Sequence, residues 1–297
     1  MNYVSGRSNL ACTIFVPYDC KNNCPFCTSK HEYQMYKSEF SLKNIIESIN
    51  KIGPLTPVKD FVITGGEPFA DLEGLNKILN ACRDYNKNIY INTTLPIQTD
   101  SDVKNIIQFL RENQYLIKGL NVSRHLSYNL TLQDDRLLGY IVSNLPISIR
   151  INCVLQDSDL VKIKQNDLAL KQFIIKYTLN GFNISLRADY RKIKTQDDLR
   201  SLDYPVFSVL QADPNFKYLR SGGCMVCNND DFIFRNPISA KETIVSIHRG
   251  FEHSLVKKDD LRIINDFIIK QNGDIRIDWD NESIAIEELY KSANWCF

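Results

Sequence analysis

The chain has 297 residues, 43% of them hydrophobic, which is enough to bury one large core. Its 36 Lys and Arg residues balance 35 Asp and Glu residues, which argues against a strongly basic surface for nucleic acid or anionic membranes. No apolar stretch reaches the length of about 18 residues that a membrane span needs, and the N-terminal residues lack a secretion-signal pattern. We therefore expect a cytoplasmic globular protein with reduced cysteines and neither a nucleic-acid nor a membrane partner.

Apolar, β-branched runs alternate with helical patterns over the first two thirds of the chain. Six runs predict strands, at residues 12–16, 61–64, 89–94, 120–123, 147–155 and 184–188. Apolar stripes with helical spacing begin at Leu42, Leu72 and Val103, and Ser41 is a candidate N-cap. Strands alternating with helices imply right-handed crossovers and a parallel sheet. The predicted fold is α/β, a partial (βα)6 TIM-like barrel over residues 1–217.

Residues 218–297 have a different character and predict a small β-rich C-terminal extension. Two apolar runs flank Asn272 and Gly273, a pair that favours a hairpin with a type I′ turn. A short helix is expected near residues 284–291. Since no Pro- or Gly-rich linker precedes the extension, we expect it to pack on the barrel.

Three cysteines, Cys20, Cys24 and Cys27, follow the first predicted strand within one loop. Three thiolates can hold three irons of a [4Fe–4S] cluster and leave the fourth iron open. A structural zinc site is the alternative, but three thiols lack the fourth ligand that a closed zinc site requires. The spacing therefore favours a cluster at the carboxyl end of the first strand, where barrels of this type carry their chemistry.

A second motif, Gly65-Gly66-Glu67-Pro68, follows the second predicted strand. Glycines at a strand end let the backbone approach a ligand closely, although a Gly-Gly pair alone could be an ordinary tight turn. Its position one βα unit after the cysteines makes the combination much more specific than either motif alone.

The cysteine spacing, Phe26 before the third cysteine and the Gly-Gly-Glu-Pro run together resemble the radical S-adenosylmethionine (SAM) superfamily. The resemblance implies that a [4Fe–4S] cluster on Cys20, Cys24 and Cys27 binds SAM and cleaves it to a 5′-deoxyadenosyl radical. It implies a reductant such as flavodoxin or ferredoxin as a partner. The SAM contacts that it implies are Phe26, Gly65, Gly66, Glu67, Asn92, Ser123, Asn152, Val154 and Arg187.

Strand alternation separates core residues from lumen residues on the later strands. It places Asn152 and Val154 on one face and Cys153 on the other, so Cys153 is predicted to be core. On the sixth strand Arg187 and Asp189 are predicted to face the lumen. Such polar groups either bind a ligand or hydrogen-bond one another.

The remaining candidates are less specific. His31 and His125 could act on substrate protons near neutral pH, or be solvated or core histidines. Cys224 and Cys227 form a pair that could be half of a second metal site, zinc or an auxiliary iron–sulfur cluster. Its plausible late partners are His248, His253 and Cys296. Reduced thiols or a substrate-contacting loop are the alternative.

These motifs predict a radical SAM enzyme that abstracts hydrogen from a small organic or nucleoside-like substrate. The alternatives are radical modification of a peptide or partner protein, and a non-catalytic iron–sulfur or zinc redox module. An intact Gly65-Gly66-Glu67 turn argues against the last alternative, since a cluster holder has no need of a SAM-binding turn.

Overall fold

The computed structural model describes residues 2–5, 9–18, 20–27, 29–30, 37–131, 134–189, 196–222, 229–248, 261–264 and 266–277. Several predictions lie outside the described residues: those on His31, Cys224, Cys227, His253, Cys296 and the helix near 284–291.

The strands of the described residues are β1 (Asn2–Ser5), β2 (Leu10–Val16), β3 (Val58–Gly65), β4 (Asn88–Thr93), β5 (Ile117–Ser123), β6 (Ser148–Leu155), β7 (Asn183–Ala188), β8 (Phe216–Gly222), β9 (Asn229–Arg235), β10 (Glu242–His248), β11 (Leu261–Ile264), β12 (Asp266–Ile269) and β13 (Ile275–Ile277). The α-helices are α1 (Leu42–Ile52), α2 (Leu72–Arg83), α3 (Asp100–Asn113), α4 (Arg136–Asn144), α5 (Asp157–Gln165), α6 (Leu168–Thr178) and α7 (Gln196–Ala212).

Strands β2 to β7 lie side by side in chain order, and each is parallel to the next. A helix lies in each connection between consecutive strands of this set, as βαβ crossovers require. The sheet does not close on itself within the described residues. The predicted α/β class, with six parallel strands in an open partial barrel, is confirmed.

One face of the sheet carries the core that packs against the helices. On β6, Ile149, Ile151 and Cys153 are buried, whereas Asn152 and Val154 on the opposite face are half-buried. The prediction that Cys153 is a core residue is therefore confirmed. Alternation of this kind leaves a polar face on the inner side of the partial barrel.

Local capping explains where the helices after β2 to β4 begin. The Ser41 side chain accepts a hydrogen bond from the Asn44 backbone, which confirms the predicted N-cap of α1. Asp71 caps α2, and Thr99 caps α3 in a capping box with Asp102. These caps satisfy backbone N–H groups at the end of each helix that lies beside the carboxyl ends of the strands.

The strands after residue 216 extend the barrel sheet on both sides. On one side β10 pairs in parallel with β7 and leads to the antiparallel strands β9 and β8. On the other side β12 pairs in parallel with β2 and antiparallel with β13. The predicted division at residue 217 stays a prediction, and one continuous sheet crosses it.

The hairpin of β12 and β13 is confirmed, but its type I′ turn was wrong. A type I′ turn needs positive φ at both central residues. Gly273 has a φ of +93°, whereas Asn272 is not among the described residues with positive φ. Lys270 N donates to Asp274 O (2.8 Å) and Gly273 N donates to Lys270 O (2.9 Å). The loop is therefore a tight turn followed by one left-handed glycine, a three-residue connection.

Among the helices of the described residues, none combines the length and the apolarity that a bilayer-spanning segment needs.

Candidate functional site

The cysteine loop leaves the sheet at the carboxyl end of β2. Cys20, Cys24 and Cys27 are half-buried thiols, and Cys27 N donates to Cys24 O (3.1 Å) in a tight turn. Burial, together with the neighbouring thiols Cys27 and Cys20, raises the pKa of Cys24 to about 11. Burial likewise raises the pKa of Cys20, and Cys27 adds to it. The three thiols thus share one local electrostatic environment.

The described residues hold no group of three or more His, Cys, Asp or Glu side chains that converges on a single ion. A structural zinc site requires such convergence, since all its ligands bind one atom. In an iron–sulfur cluster each cysteine binds a different iron, so the three sulfurs stand apart. The preference for a cluster over zinc therefore stays a prediction that rests on the ligand count.

The glycine turn lies directly against β2. Gly65 has a φ of +115°, and a Cβ there would lie 2.7 Å from Val16 N and 3.0 Å from Val16 O. Both the left-handed backbone and the close contact require glycine at this position. Because Val16 ends β2, this contact brings the turn beside the first residues of the cysteine loop.

Glu67 is buried, and described polar groups surround its carboxylate. It accepts hydrogen bonds from Thr93 Oγ1 (2.6 Å), from Thr94 N (2.8 Å) and Oγ1 (2.7 Å), and from Phe69 N (3.2 Å). Burial raises its pKa in spite of these donors. Its negative charge in turn raises the pKa of Cys20. Glu67 therefore ties the glycine turn to the end of β4, and its predicted contact with SAM stays a prediction.

Asn22 connects the cysteine loop to two neighbouring segments. Its side-chain amide donates to Thr94 Oγ1 (3.4 Å) and accepts from Thr131 N (2.6 Å). It also hydrogen-bonds Cys20. No motif in the sequence singled out this residue, because its partners come from segments far away along the chain.

The predicted contacts on the later strands lie on the polar face at the carboxyl ends. Asn92 accepts a hydrogen bond from Asn121 (2.8 Å), and Ser123 lies opposite Asn152 in the register of β5 and β6. The Asn152 Oδ1 atom is buried and has no hydrogen-bond partner among the described residues. Arg187 lies opposite Val154. These side chains are therefore brought to one edge, and Asn152 presents an acceptor there.

His125 bridges this edge and the cysteine loop. Its Nδ1 accepts a hydrogen bond from Val154 N (3.1 Å), and its ring lies 4.5 Å from the Phe26 ring, centroid to centroid. Because Nδ1 is an acceptor, the proton of the neutral ring is on Nε2. That Nε2 is buried and has no hydrogen-bond partner in the described part of the chain. Burial and the nearby Arg124 lower the pKa of His125 to about 4, so the ring is neutral at pH 7.

Tyr128 completes an aromatic group over the loop. Its ring lies edge-on to Phe26, with centroids 5.8 Å apart, and its hydroxyl hydrogen-bonds the Cys24 thiol. The sequence carried no signal for Tyr128, because it lies in an irregular loop after β5. Phe26 of the cysteine loop is therefore packed against two aromatic rings that follow β5.

The Arg124 side chain connects the ends of β4 and β5 by hydrogen bonds. Its Nη1 donates to Thr94 O (2.9 Å) and Ser123 O (2.7 Å), and its Nε pairs with Asp135 (2.8 Å). Asp135 also pairs with Lys176 (2.6 Å). The buried Arg124 and the partly exposed Asp135 and Lys176 thus connect the ends of β4 and β5 to α4 and α6.

In a comparison with protein families, residues 14–123 match the family described as the radical SAM superfamily. These residues run from β2 to the end of β5 and include the cysteine loop and the glycine turn. Comparison with curated protein sequences finds no match.

Solved structures with similarity include Streptococcus suis SuiB bound to S-adenosylmethionine (21% identity, TM-score 0.44, 68% of this chain and 45% of that chain). SuiB bound to its precursor peptide SuiA is similar over 90% of this chain and 58% of that one, with 18% identity and a TM-score of 0.49. The enzyme anSMEcpe with bound AdoMet and the Cp18Cys peptide is 18% identical over 68% of this chain and 59% of that one, with a TM-score of 0.46. The chain thus spans about half the length of these solved chains.

Proposed function

We propose that the protein binds a [4Fe–4S] cluster through Cys20, Cys24 and Cys27 and cleaves SAM reductively, since residues 14–123 match the radical SAM superfamily. The observation that carries the proposal is the position of three interacting, half-buried thiols beside the Gly65 turn. When bound, such a cluster supplies the electron that breaks a carbon–sulfur bond of SAM.

The residues around the loop fit this group. Three cysteine ligands leave one coordination position for a ligand other than protein. Asn152 Oδ1 and His125 Nε2 are a buried acceptor and a buried donor without partners in the described residues, and His125 packs against Phe26 of the cysteine loop. Unpaired buried polar atoms are costly in a folded protein, and a polar ligand that pairs with them removes that cost.

The chain's own residues have separate parts in this proposal. Phe26 covers the cysteine loop and excludes water from it, with His125 packed against its ring. Gly65 and Gly66 let backbone groups approach the amino-acid part of SAM, and Glu67 holds this turn in place. The neutral His125 acts as a hydrogen-bond donor through its Nε2–H group; because its pKa is about 4, the ring is not the charged imidazolium at pH 7.

For the substrate, we propose a small organic or nucleoside-like molecule bound on the polar face of β6, β7 and β10. Arg187, on β7, lies in register with His248 on β10 and with Val154 on β6. Because Arg187 and His248 are polar, this face suits a polar ligand better than an apolar one. A reductant such as flavodoxin or ferredoxin is the proposed partner.

A peptide substrate is the second candidate. SuiB and anSMEcpe were both solved with peptides, SuiA and Cp18Cys respectively. Release of 5′-deoxyadenosine that rises on adding candidate peptides, but not candidate small molecules, would favour it. A non-catalytic redox module is the third, and it predicts no SAM binding in calorimetry.

Anaerobic reconstitution with iron and sulfide tests the proposal, followed by reduction in the presence of SAM. The expected product is 5′-deoxyadenosine from the wild type and none from Cys24→Ala. Cys153→Ala is the matched control, since this cysteine is buried in the helix-side core, and it should retain cleavage. Absence of cleavage by a wild type that holds four irons would contradict the proposal.

The second metal site stays a separate prediction. Iron and zinc counts on the wild type and on a Cys224→Ala, Cys227→Ala double mutant decide it. A loss of metal beyond the first cluster is expected if the pair is a ligand pair, and an unchanged count would remove the site.

A further inference from the structure

Gln271, in the turn between β12 and β13, is fully buried although it lies in a hairpin loop. Its side-chain Nε2 donates to the backbone oxygen of Val16 at 2.9 Å. A carbonyl can accept only from the NH2 end of the amide, so this contact sets the orientation of the side chain. The parallel pairing of β12 with β2 ends at Ile269 and Ile14, and the Gln271 side chain extends the contact of the hairpin to the last residue of β2.

The backbone of this turn is fastened to the first turns of α1. Ser41 N donates to Gln271 O (2.9 Å), Asn44 Nδ2 donates to Asn272 O (3.1 Å), and Ser48 Oγ donates to Gly273 O. A Cβ at Gly273 would lie 2.4 Å from Asn44 Cβ, so no larger residue fits there. The turn is therefore held by contacts that do not involve the Gln271 side chain.

Val16 stands at the junction of the two motifs of the site. It is the last residue of β2, four positions before Cys20, and it pairs with Gly65 in the sheet. The Gln271 amide therefore contacts the backbone from which the cysteine loop starts and against which the glycine turn packs.

Stability alone does not account for an amide at this position. The Gln271 Oε1 atom is buried and has no hydrogen-bond partner among the described residues. A buried amide with one unpaired polar atom stabilises a fold little, because the desolvation of that atom offsets much of the hydrogen bond. An apolar side chain of similar length would remove the cost of the unpaired Oε1 atom, but it would also remove the donor to the Val16 carbonyl.

We propose that Gln271 is a positioning residue that holds the end of β2, and with it the cysteine loop, in the geometry needed for cluster and SAM binding. This inference rests on the proposed function for its purpose, but its structural part concerns the protein without a cluster. It gives the C-terminal extension a direct part in the site, through a residue about 250 positions from the cysteines.

Gln271→Met tests the proposal, because methionine has the same length and no donor. Amide hydrogen exchange on the cluster-free protein should speed up by roughly threefold to tenfold in residues 16–27 and 65–67, the range for loss of one neutral hydrogen bond. Exchange in α6, far along the chain, should stay unchanged. After reconstitution, SAM affinity in calorimetry should fall by about threefold or more, while the melting temperature changes little.

Ser48→Ala is the matched control, since it removes a hydrogen bond to the same turn without touching Val16. It should leave exchange in residues 16–27 at the wild-type rate. Equal effects of both variants, or no local effect of Gln271→Met, would overturn the proposal. Gln271→Leu repeats the test if Gln271→Met does not fold, and failure of both to fold would assign Gln271 to stability alone.

The two proposals fail separately. If the wild type binds no cluster or SAM, the proposed function fails, while the exchange measurement still decides whether Gln271 orders the loop. If the wild type cleaves SAM and the exchange pattern is unaltered in Gln271→Met, only the positioning inference fails.

Discussion

Two sets of three cysteines in this chain show how the surroundings decide what a thiol can do. Cys12, Cys82 and Cys153 lie in the helix-side core, at most 1% exposed. Burial, with Cys82 adding to it, raises the pKa of Cys12 far above its usual value, and burial does the same for Cys82 and Cys153. Cys20, Cys24 and Cys27 instead lie half-buried in one loop. The first set acts as small apolar side chains, and the second set is accessible to a metal that displaces its protons.

The largest effect is expected when a cysteine of the loop, Cys20, Cys24 or Cys27, is substituted. Cys24→Ala should abolish cluster binding and SAM cleavage, because a ligand is lost and the remaining two thiols cannot hold the group alone. Iron content and the visible absorption of the reconstituted protein measure this. In contrast, Cys153→Ala should keep its iron and lose only about 1 kcal/mol of stability, measured by urea unfolding. A cluster that survived Cys24→Ala would break the comparison between the two sets.

The next effect concerns the glycine turn beside the loop. Gly65→Ala should lower the free energy of unfolding by about 2 kcal/mol or more, since it combines a positive φ with a clash against β2. We expect SAM affinity to fall at least tenfold in calorimetry. Gly139→Ala, in α4, is the matched control: a Cβ there meets no atom within 4 Å, and it should stabilise by up to about 1 kcal/mol.

Asn152→Ala separates ligand binding from stability at the site. Because the Asn152 Oδ1 atom lacks a partner in the described residues, its removal should leave the free energy of unfolding almost unchanged. SAM affinity should fall about threefold to tenfold, as expected for one lost hydrogen bond to a ligand. A large loss of stability without a loss of affinity would show that Asn152 belongs to the fold.

A change in the pH dependence of stability is expected at His125. The pKa of His125 is lowered from 6.5 to about 4 in the folded protein. Between these two pH values the histidine is protonated in the unfolded chain but neutral in the folded protein. The free energy of unfolding of the wild type should therefore be highest, as far as His125 contributes, above about pH 6.5. It should fall by about 2–3 kcal/mol as the pH falls to 4.

His125→Phe keeps the aromatic contact with Phe26 and removes the titrating group. Urea unfolding of cluster-free protein at pH 7 and pH 4.5 should show a smaller acid destabilisation in this variant. Identical acid sensitivity in both proteins would contradict the lowered pKa of His125.

Much of the fold could be predicted from the sequence because its signals are local. The six parallel strands, the stripes of α1 to α3 and the Ser41 cap depend on residue periodicity within a dozen positions. The assignment of Cys153 to the core followed from strand alternation alone. The hairpin of β12 and β13 was found, but its turn type was wrong, since Asn-Gly suits more than one loop length and packing on α1 selects among them.

The contacts around the site could not be predicted in the same way. The hydrogen bond from Val154 N to His125, the contact of Tyr128 with Cys24, and the partners of Asn22 join segments that no periodicity relates. Nor did the apolar runs of the C-terminal extension indicate that they would join both edges of the barrel sheet. A strand at the edge of a sheet offers unpaired backbone N–H and C=O groups to any further strand. The local sequence does not specify which of the two edges a later strand joins.

The sequence by itself determined which ligand groups the chain offers. Residue types and their spacing place three thiols after one strand and a glycine turn after the next. Tertiary structure alone decided which polar atoms surround them and how they are held. Gln271 meets Val16 and Glu67 meets Thr94 only after the sheet has formed. The reason is physical, since ligand types and turn glycines act through covalent neighbours, whereas hydrogen bonds across the sheet depend on strand order and packing.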